Sequence, residues 1–398
     1  MAATPRAVPI SLPSFGPAEM DAALRPLRSG WVAQGPEVNA FERALAHTTA
    51  SPHALSCTSG TAALHLALAA IGIKPGDEVV VPAFTWVATA NVVELLGARA
   101  VLCDVNPRTF CSDPEHFEAA LSPRTRALLP VHLFGHVAPM HDLLDLARQH
   151  HLHVVEDAAC ALGSSLDGQH AGTFGDVGAF SFHPRKIITA GEGGALTTHN
   201  DTIAAQLASL RNHGAGGPLL PSYHEADYQH LGHNAWHSAH PGAAAYVMAD
   251  FIQPGFNYRI GDIQGAILLA QLLRLDDLLA RRRALAARYD AALGDLPIDL
   301  PLLPHNMQHS YQSYTIRLLP DAPTSRDDLA DLLATHGIQT RQGTHAVHLL
   351  GAYRDRYQPH DLPGALEAHQ RSLALPLYPD LSFDDQDYVI EHLRNALA

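Results

Sequence analysis

Lysine is nearly absent from this chain of 398 residues: only Lys74 and Lys186 carry an ε-amine, and arginine supplies the rest of the positive charge. An amine nucleophile therefore has two candidate positions, because a guanidinium stays protonated and cannot replace it. Cysteine is scarce as well. The four thiols, Cys57, Cys103, Cys111 and Cys160, form no CxxC pair and no regular framework, so a disulfide scaffold is excluded and reduced thiols in a cytoplasmic protein are expected. No apolar run approaches membrane-span length, and the opening MAATPRAVPISLP lacks the apolar stretch of a secretory signal. Basic charge is in deficit: a net charge of −14 argues against nucleic acid as a partner. There is no GxSxG elbow for a serine hydrolase, and GAGG near Gly214 neither follows a strand nor opens a helix as a dinucleotide loop does. Internal repeats and low-complexity tracts are missing too.

What remains is a globular composition, 47% hydrophobic and 17% charged, on a chain long enough for two domains. Histidine stands out at 27 residues. Its partial protonation at roughly pH 6 offsets most of the carboxylate excess, so solubility is expected to be poorest there.

The densest local pattern is VGAFSFHPRKIITAGEGG, residues 177–194. An apolar strand is expected over 177–182, then a turn carrying Ser181, His183, Pro184, Arg185 and Lys186, then a glycine-rich bend into a second strand over 195–198. Lys186 thus lies between two buried strands and not on a solvated helix face. Desolvation there favours the neutral, nucleophilic amine, which can form a Schiff base with an aldehyde. A lysine beside a strand is also ordinary loop chemistry. The catalytic reading needs three further parts: a phosphate cradle, a ring-stacking aromatic and an acid for a pyridine nitrogen.

Candidates for all three lie upstream. In LSCTSGTAALHLALAAIG, Thr58, Ser59 and Gly60 precede a periodic apolar helix that Thr61 opens. Hydroxyls and free N–H groups meet there at a positive helix end, the parts of a plain N-cap and equally of a phosphate site. In GDEVVVPAFTWVATANVVELLGARAVLCDV, a strand over 78–81, a helix over 86–96 and a strand over 100–104 make a βαβ unit of a parallel sheet. Trp86 falls just beyond the first strand's carboxyl end, where open α/β sheets bind ligands; a core tryptophan fits the position as well. The strands in RALLPVHL and HVVEDAA continue the pattern around a helix near 140–150, and Asp157 ends the second of them. A carboxylate there is costly to bury unpaired, and a protonated pyridine nitrogen would be a suitable cation.

Taken in order, CTSGTAALHLAL, GDEVVVPAFTWVATAN, EDAACALGS, FSFHPRKIITAGEGG, RNHG and GFNYRIGDIQGA resemble the DegT/StrS-type sugar aminotransferases, from about Ile10 to the C-terminus. These are pyridoxal-phosphate enzymes of the aspartate-aminotransferase, type I fold. The resemblance implies that Lys186 is the Schiff-base lysine, that Asp157 pairs with the pyridine nitrogen and that Trp86 covers the ring. It further implies that Ser59, Gly60, Thr61 and Ser181 hold the phosphate. Cys160 stands near the ring hydroxyl where the family usually has Gln or His, and a thiol is a poor hydrogen-bonding substitute. A homodimer with shared active sites is also implied, in which Asn257 of GFNYR reaches the neighbouring subunit's phosphate. The implied reaction moves an amino group from an amino-acid donor, glutamate or glutamine, to a ketone on a nucleotide-linked sugar or a cyclitol. A sugar dehydratase of the same fold is one alternative, although histidine typically replaces the lysine there. A non-catalytic pyridoxal-phosphate-binding regulator is the other.

The expected fold is therefore α/β: a large domain with a mostly parallel sheet over residues 1–270, N-terminal arm included, and a smaller C-terminal α+β domain over 271–398. One long amphipathic helical pattern over 262–293 connects them. A strand in YQSYTIRLL, a helix in SRDDLADLLATHG, a short strand around Gln339 and a helix after Asp384 complete the smaller part. His345 and His348 face substrate or pack. Roughly forty residues separate His213 from Phe256 and include His224, His230, His233, His237 and His240. This 215–255 insertion is expected to be a lid or substrate-contacting loop. No metal is expected, because the histidine spacings match no standard ligand motif.

Overall fold

Val79, Val80 and Val81 offer no polar face, so the strand they form has to be covered on both sides. In the computed structural model, which describes residues 6–216 and 250–397, all three are fully buried within a seven-stranded sheet. Its strands are β1 (His53–Cys57), β2 (Glu78–Pro82), β3 (Arg99–Cys103), β4 (Thr125–Leu128), β5 (His153–Asp157), β6 (Val177–Ser181) and β7 (Gly194–Thr198). They lie in the order β1-β7-β6-β5-β4-β2-β3. All run parallel except β7, which is antiparallel to both neighbours. The histidines at 224, 230, 233, 237 and 240 lie outside the described residues.

The helices follow the same logic of burial and capping. They are α1 (Pro17–Ser29), α2 (Pro36–Thr49), α3 (Gly60–Ala70), α4 (Ala88–Leu95), α5 (Pro114–Ala119), α6 (Met140–His150), α7 (Asp201–Arg211), α8 (Asp262–Leu272), α9 (Leu275–Leu293), α10 (Arg326–Thr335), α11 (Pro363–Arg371) and α12 (Phe383–Leu397). Helix α3 is apolar almost all round and accordingly buried from Ala62 to Leu68 against the sheet. Helix starts carry expected caps: the Asn200 side chain accepts the N–H groups of Thr202 and Ile203, and Ser325 accepts that of Asp328. No helix among the described residues is long and apolar enough to cross a membrane.

A second, antiparallel sheet follows α9. Its strands β8 (Ile298–Asp299), β9 (Tyr314–Leu318), β10 (Arg341–Gln342) and β11 (Ser372–Leu375) are ordered β8-β9-β11-β10. The chain therefore has the expected α/β composition with a large, mostly parallel sheet. Two apolar cores result, and α9 enters both. Leu275, Leu278 and Leu279 pack in the core of the seven-stranded sheet, whereas Leu285, Ala286, Tyr289 and Leu293 pack with Tyr314, Ile316 and Leu373 in the other. Val8 joins the second core, and Val347, Leu362 and Ala365 return to the first.

Two expectations shift. The single helix over 262–293 is broken into α8 and α9, because Arg274 leaves helical geometry and turns toward Glu19 (2.9 Å) and Ser14 (3.4 Å). The break lets α8 lie on α1 and α2 while α9 runs into the second core. The short strand placed around Gln339 starts instead at Arg341, since the Gln339 N–H is taken by the carbonyl of Val8 (2.9 Å).

Behind the sheet, Glu156 is fully buried and held by four donors. The N–H groups of Gly172, Phe174 and Gly175 each reach it at 2.7 Å, and His132 Nε2 at 2.8 Å. His132 Nδ1 accepts the N–H of Ala138 (3.1 Å), so the ring proton is on Nε2 and is donated to Glu156. Removing the carboxylate strands three backbone donors away from water. Glu156→Ala should therefore cost roughly 3–5 kcal/mol of stability, read from the denaturant midpoint. A loss below about 1 kcal/mol would mean that water has taken the carboxylate's place.

Candidate active site

The carboxyl ends of β1, β2, β5 and β6 deliver the residues singled out in the sequence, as open α/β sheets do. After β1, Ser59 caps α3, its hydroxyl accepting the N–H of Ala62 at 3.1 Å. The N–H groups of Gly60 and Thr61 are first-turn donors, which helix geometry leaves without an intrahelical partner. Glycine is required at position 60 by space: a Cβ there would lie 2.7 Å from Ser181 Cβ and 3.1 Å from its hydroxyl. Position 194 is equally tight, with Ser59 O only 2.3 Å from a hypothetical Cβ. The Ser59-Gly60-Thr61 turn thus rests directly on the ends of β6 and β7, and Ser181 is brought beside it.

Trp86 leaves 49% of its surface exposed, so it is not a core tryptophan. Its neighbours are the His345 ring, 5.8 Å away between centroids, and the Arg341 guanidinium, 5.7 Å from the ring centroid. Asp157, the last residue of β5, is 5% exposed. One oxygen accepts the Thr89 hydroxyl at 2.7 Å and the other the Ala159 N–H at 3.1 Å. Thr85 lies 3.2 Å from Thr89; because Thr89 gives its proton to Asp157, Thr85 must donate to Thr89. Among the described residues no Lys, Arg or His lies within ion-pair distance of Asp157. Among the described residues, then, no side chain supplies the cation expected from sequence. Thr89 was missed in the sequence reading, although its place one helical turn after Trp86 puts it at the same strand end.

Lys186 is half-buried, whereas Lys74 is exposed. The turn holds Lys186 through its own N–H, bonded to the carbonyl of His183 at 2.8 Å. Its amine donates to the Cys160 thiol at 3.2 Å, which places Cys160 in the site next to the lysine. Cys57, Cys103 and Cys111 are different: burial pushes each thiol up to about 12, leaving them inert packing groups.

The GFNYR segment lies alongside. Phe256 and Tyr258 stack at 4.8 Å, the Tyr258 hydroxyl meets His65 on α3 at 3.2 Å, and Arg259 donates to the Asn212 side chain. The Tyr258 carbonyl also accepts the N–H of Thr58 at 3.0 Å, next to the Ser59 turn. Asn257 is exposed, with no side-chain hydrogen bond among the described residues. Of the two histidines left open, His348 is buried with Nε2 at 3.2 Å from the Pro359 carbonyl and is a packing residue; His345 is the one beside Trp86. No metal-binding cluster occurs among the described residues.

The same architecture is found in solved enzymes. TlmJ, an aminotransferase from Streptoalloteichus hindustanus, is 31% identical with a TM-score of 0.86 over 98% of this chain and 99% of that one. DesV from S. venezuelae is 35% identical with a TM-score of 0.82, over 95% and 93%. Spr1654 from Streptococcus pneumoniae, described as a putative sugar aminotransferase, is 28% identical in its PLP form with a TM-score of 0.87, over 99% and 100%. A PMP form of Spr1654 matches equally well, at a TM-score of 0.87. The fold and these likenesses define a pyridoxal-phosphate-dependent aminotransferase of the type I fold. The chain belongs to the DegT/DnrJ/EryC1/StrS aminotransferase family, whose model matches residues 13–394.

Close to the site, burial lowers His136 to about 4 and His309 well below its ordinary value, their rings 6.1 Å apart. Each is neutral when folded and takes up a proton more readily when unfolded. The contribution of His136 is thus complete above pH 6.5 and lost as pH falls from 6.5 toward about 4, and His309 acts in the same direction. Asp262, raised by burial to about 6, acts in the opposite sense over much of that range. Stability should nevertheless fall below pH 6.5, with His136 contributing on the order of 3 kcal/mol. Melting temperature against pH should show the decline, and His136→Phe should make it shallower; an unchanged slope would refute the assignment.

Proposed function

We propose that this enzyme moves an amino group from an amino-acid donor, glutamate first, to the ketone of a nucleotide-linked keto-sugar, in sites shared by two copies of the chain. The observation that carries the reading is Asp157, a buried carboxylate met by a hydroxyl and an amide but, among the described residues, by no cation. That leaves its charge for a protonated pyridine nitrogen. The tight Gly60–Ser181 approach, the first-turn N–H groups and the half-exposed Trp86 fit a phosphate and an aromatic ring in the same place. The sugar acceptor is supported by the likeness to Spr1654. Four free cysteines support a reducing, cytoplasmic setting.

Pyridoxal phosphate, when bound, would supply an aldehyde carbon able to carry the amino group and a ring able to delocalise an electron pair. The protein's residues do the rest. Gly60 and Thr61 N–H groups, with the Ser59 and Ser181 hydroxyls, hold the phosphate, and Trp86 covers the ring. Asp157, kept in place by Thr89, keeps a proton on the ring nitrogen. Lys186 Nζ anchors the cofactor, then takes the α-proton of the donor and returns it as general base and acid. Cys160 accepts one Lys186 N–H and so orients the amine between those two positions. The reverse sequence delivers the amino group to the ketone.

Sharing between subunits is supported by the exposed Asn257, whose side chain has no hydrogen bond among the described residues, and by α1, where Met20, Leu24 and Leu27 form an apolar stripe exposed at 63%, 39% and 56%. Such a stripe fits a two-fold interface.

Borohydride reduction followed by peptide mapping should leave the pyridoxyl group on Lys186; recovery on Lys74 would refute the site. Asp157→Asn should lower transamination by orders of magnitude while phosphate anchoring survives, and activity within about tenfold of the parent would remove Asp157 from the mechanism. Sharing is tested by mixing inactive Lys186→Ala and Asn257→Asp homodimers. Random reassembly should restore about one quarter of the sites, because half the dimers are mixed and one site in each is free of both changes. Mixed dimers without activity would show that Asn257 serves its own subunit.

A further inference from the structure

Three of the four thiols are shut away from solvent. Cys57 donates to the carbonyl of Ser59 at 3.3 Å, Cys103 to the Ser112 hydroxyl at 3.5 Å, and Cys111 to the carbonyls of Val131 (3.4 Å) and His136 (3.7 Å). Cys160 differs in two respects: it is partly exposed, and its sulfur faces a primary amine, Lys186 Nζ, at 3.2 Å. A thiol reacts with an oxidant only where the oxidant can reach it, so oxidation of this chain begins at Cys160. The guanidinium of Arg185, in the same turn as Lys186, is close enough for its charge and that of Cys160 to act on each other. The surroundings of this sulfur are therefore electropositive, as those of reactive cysteines are.

Sulfur and nitrogen are kept face to face by the backbone on either side. The Cys160 carbonyl accepts the Ser310 hydroxyl at 3.2 Å, and the Lys186 N–H is bonded to the carbonyl of His183 at 2.8 Å. The lysine's flexible four-carbon stem lets its amine close the remaining gap. Cys111 also feels the charge of Cys160, but it is 1% exposed and its S–H is committed to two carbonyls. The amine is thus the nucleophile placed to reach an oxidised Cys160 first.

We propose that Cys160 and Lys186 form an oxidative modification site, in which a peroxide oxidises the thiol and the lysine amine captures the product as a reversible sulfur–nitrogen cross-link. In the first step the sulfur attacks one peroxide oxygen, the O–O bond breaks and an S–O bond forms. The thiol proton leaves with the other oxygen as water, so sulfur is oxidised to a sulfenic acid by two electrons and the peroxide is reduced. In the second step the Nζ lone pair attacks sulfur and the S–O bond breaks. The hydroxyl departs with a proton from nitrogen as a second water, leaving a sulfenamide two hydrogens lighter than the thiol and amine together. Two equivalents of a small thiol reverse it, returning the cysteine and the amine and becoming a disulfide themselves. The consequence for activity rests on the reading of the Lys186 site given above: an amine held by sulfur can neither anchor the cofactor nor move the α-proton. On that reading the pyridoxal form, whose lysine is engaged, is protected, whereas the pyridoxamine form leaves the amine free to react.

The holoenzyme loaded with pyridoxamine phosphate is treated with hydrogen peroxide, digested without reductant and mapped by mass spectrometry. One pair of linked peptides should appear, carrying Cys160 and Lys186 and two hydrogens lighter than their sum, and a thiol reductant should release it. Cys160→Ser should abolish the link, with its melting curve as the control for folding. Lys186→Arg, which keeps the charge without a nucleophilic amine, should let Cys160 proceed to the sulfinic acid with no link. An unoxidised Cys160, a parent that goes to the sulfinic acid unlinked, or a Cys160–Cys111 disulfide in place of the link overturns the proposal. The same treatment of the pyridoxal-loaded enzyme separates the two readings, because the link should be largely lost there. Equal yields in the two forms would sink the assignment of Lys186 as the cofactor's anchor, while the linked peptides would still establish the modification.

Discussion

Two adjacent carboxylates at the end of β5, Glu156 and Asp157, set the terms for the rest of the molecule. Neighbouring residues of a strand point to opposite faces, so the two are buried on different sides of the sheet and answered differently. Glu156 is saturated by three backbone amides and a histidine, which fixes the 172–175 segment against β5. Asp157 is answered by one hydroxyl and one amide and keeps its charge available. The first carboxylate holds the strand end still, and the second uses that rigidity.

Around this strand end the chain brings together turns that are far apart in sequence. Ser59 to Thr61 follow β1, Trp86 follows β2, Ser181 ends β6, and Lys186 is in the next turn. Their meeting depends on close approach more than on hydrogen bonding: Gly60 against Ser181 and Gly194 against Ser59 leave no room for a side chain. The ribbon of His345–Ala346 with Phe84–Thr85 adds the second sheet's side of the site, and with it Arg341 and His345 beside Trp86.

Much of this was legible in the sequence, for identifiable reasons. Short apolar runs closed by a proline, a lone carboxylate or a polar turn marked β2, β5 and β6 and placed Trp86, Asp157 and Lys186 at or just beyond strand ends, because the apolar pattern and the turn residues agree there. Three features were not legible. Thr89 looks like any hydroxyl in an apolar helix, and only the packing of α4 on α3, β2 and β3 brings it within reach of Asp157. The break at Arg274 is imposed by Glu19 and Ser14, more than 250 residues away, on a stretch whose own periodicity is continuous. The β10 register, and with it the position of Arg341, is set by Val8 capturing the backbone of Gln339. In each case the deciding contact is tertiary.

The path of α9 has a consequence for how the molecule comes apart. Because its first turns are embedded in one apolar core and its last turns in the other, neither core can melt without stripping apolar contacts from a helix the other still holds. Val8 and the 347–365 segment stitch the cores in the reverse direction. Loosening either sheet is therefore expected to loosen the other through this shared helix.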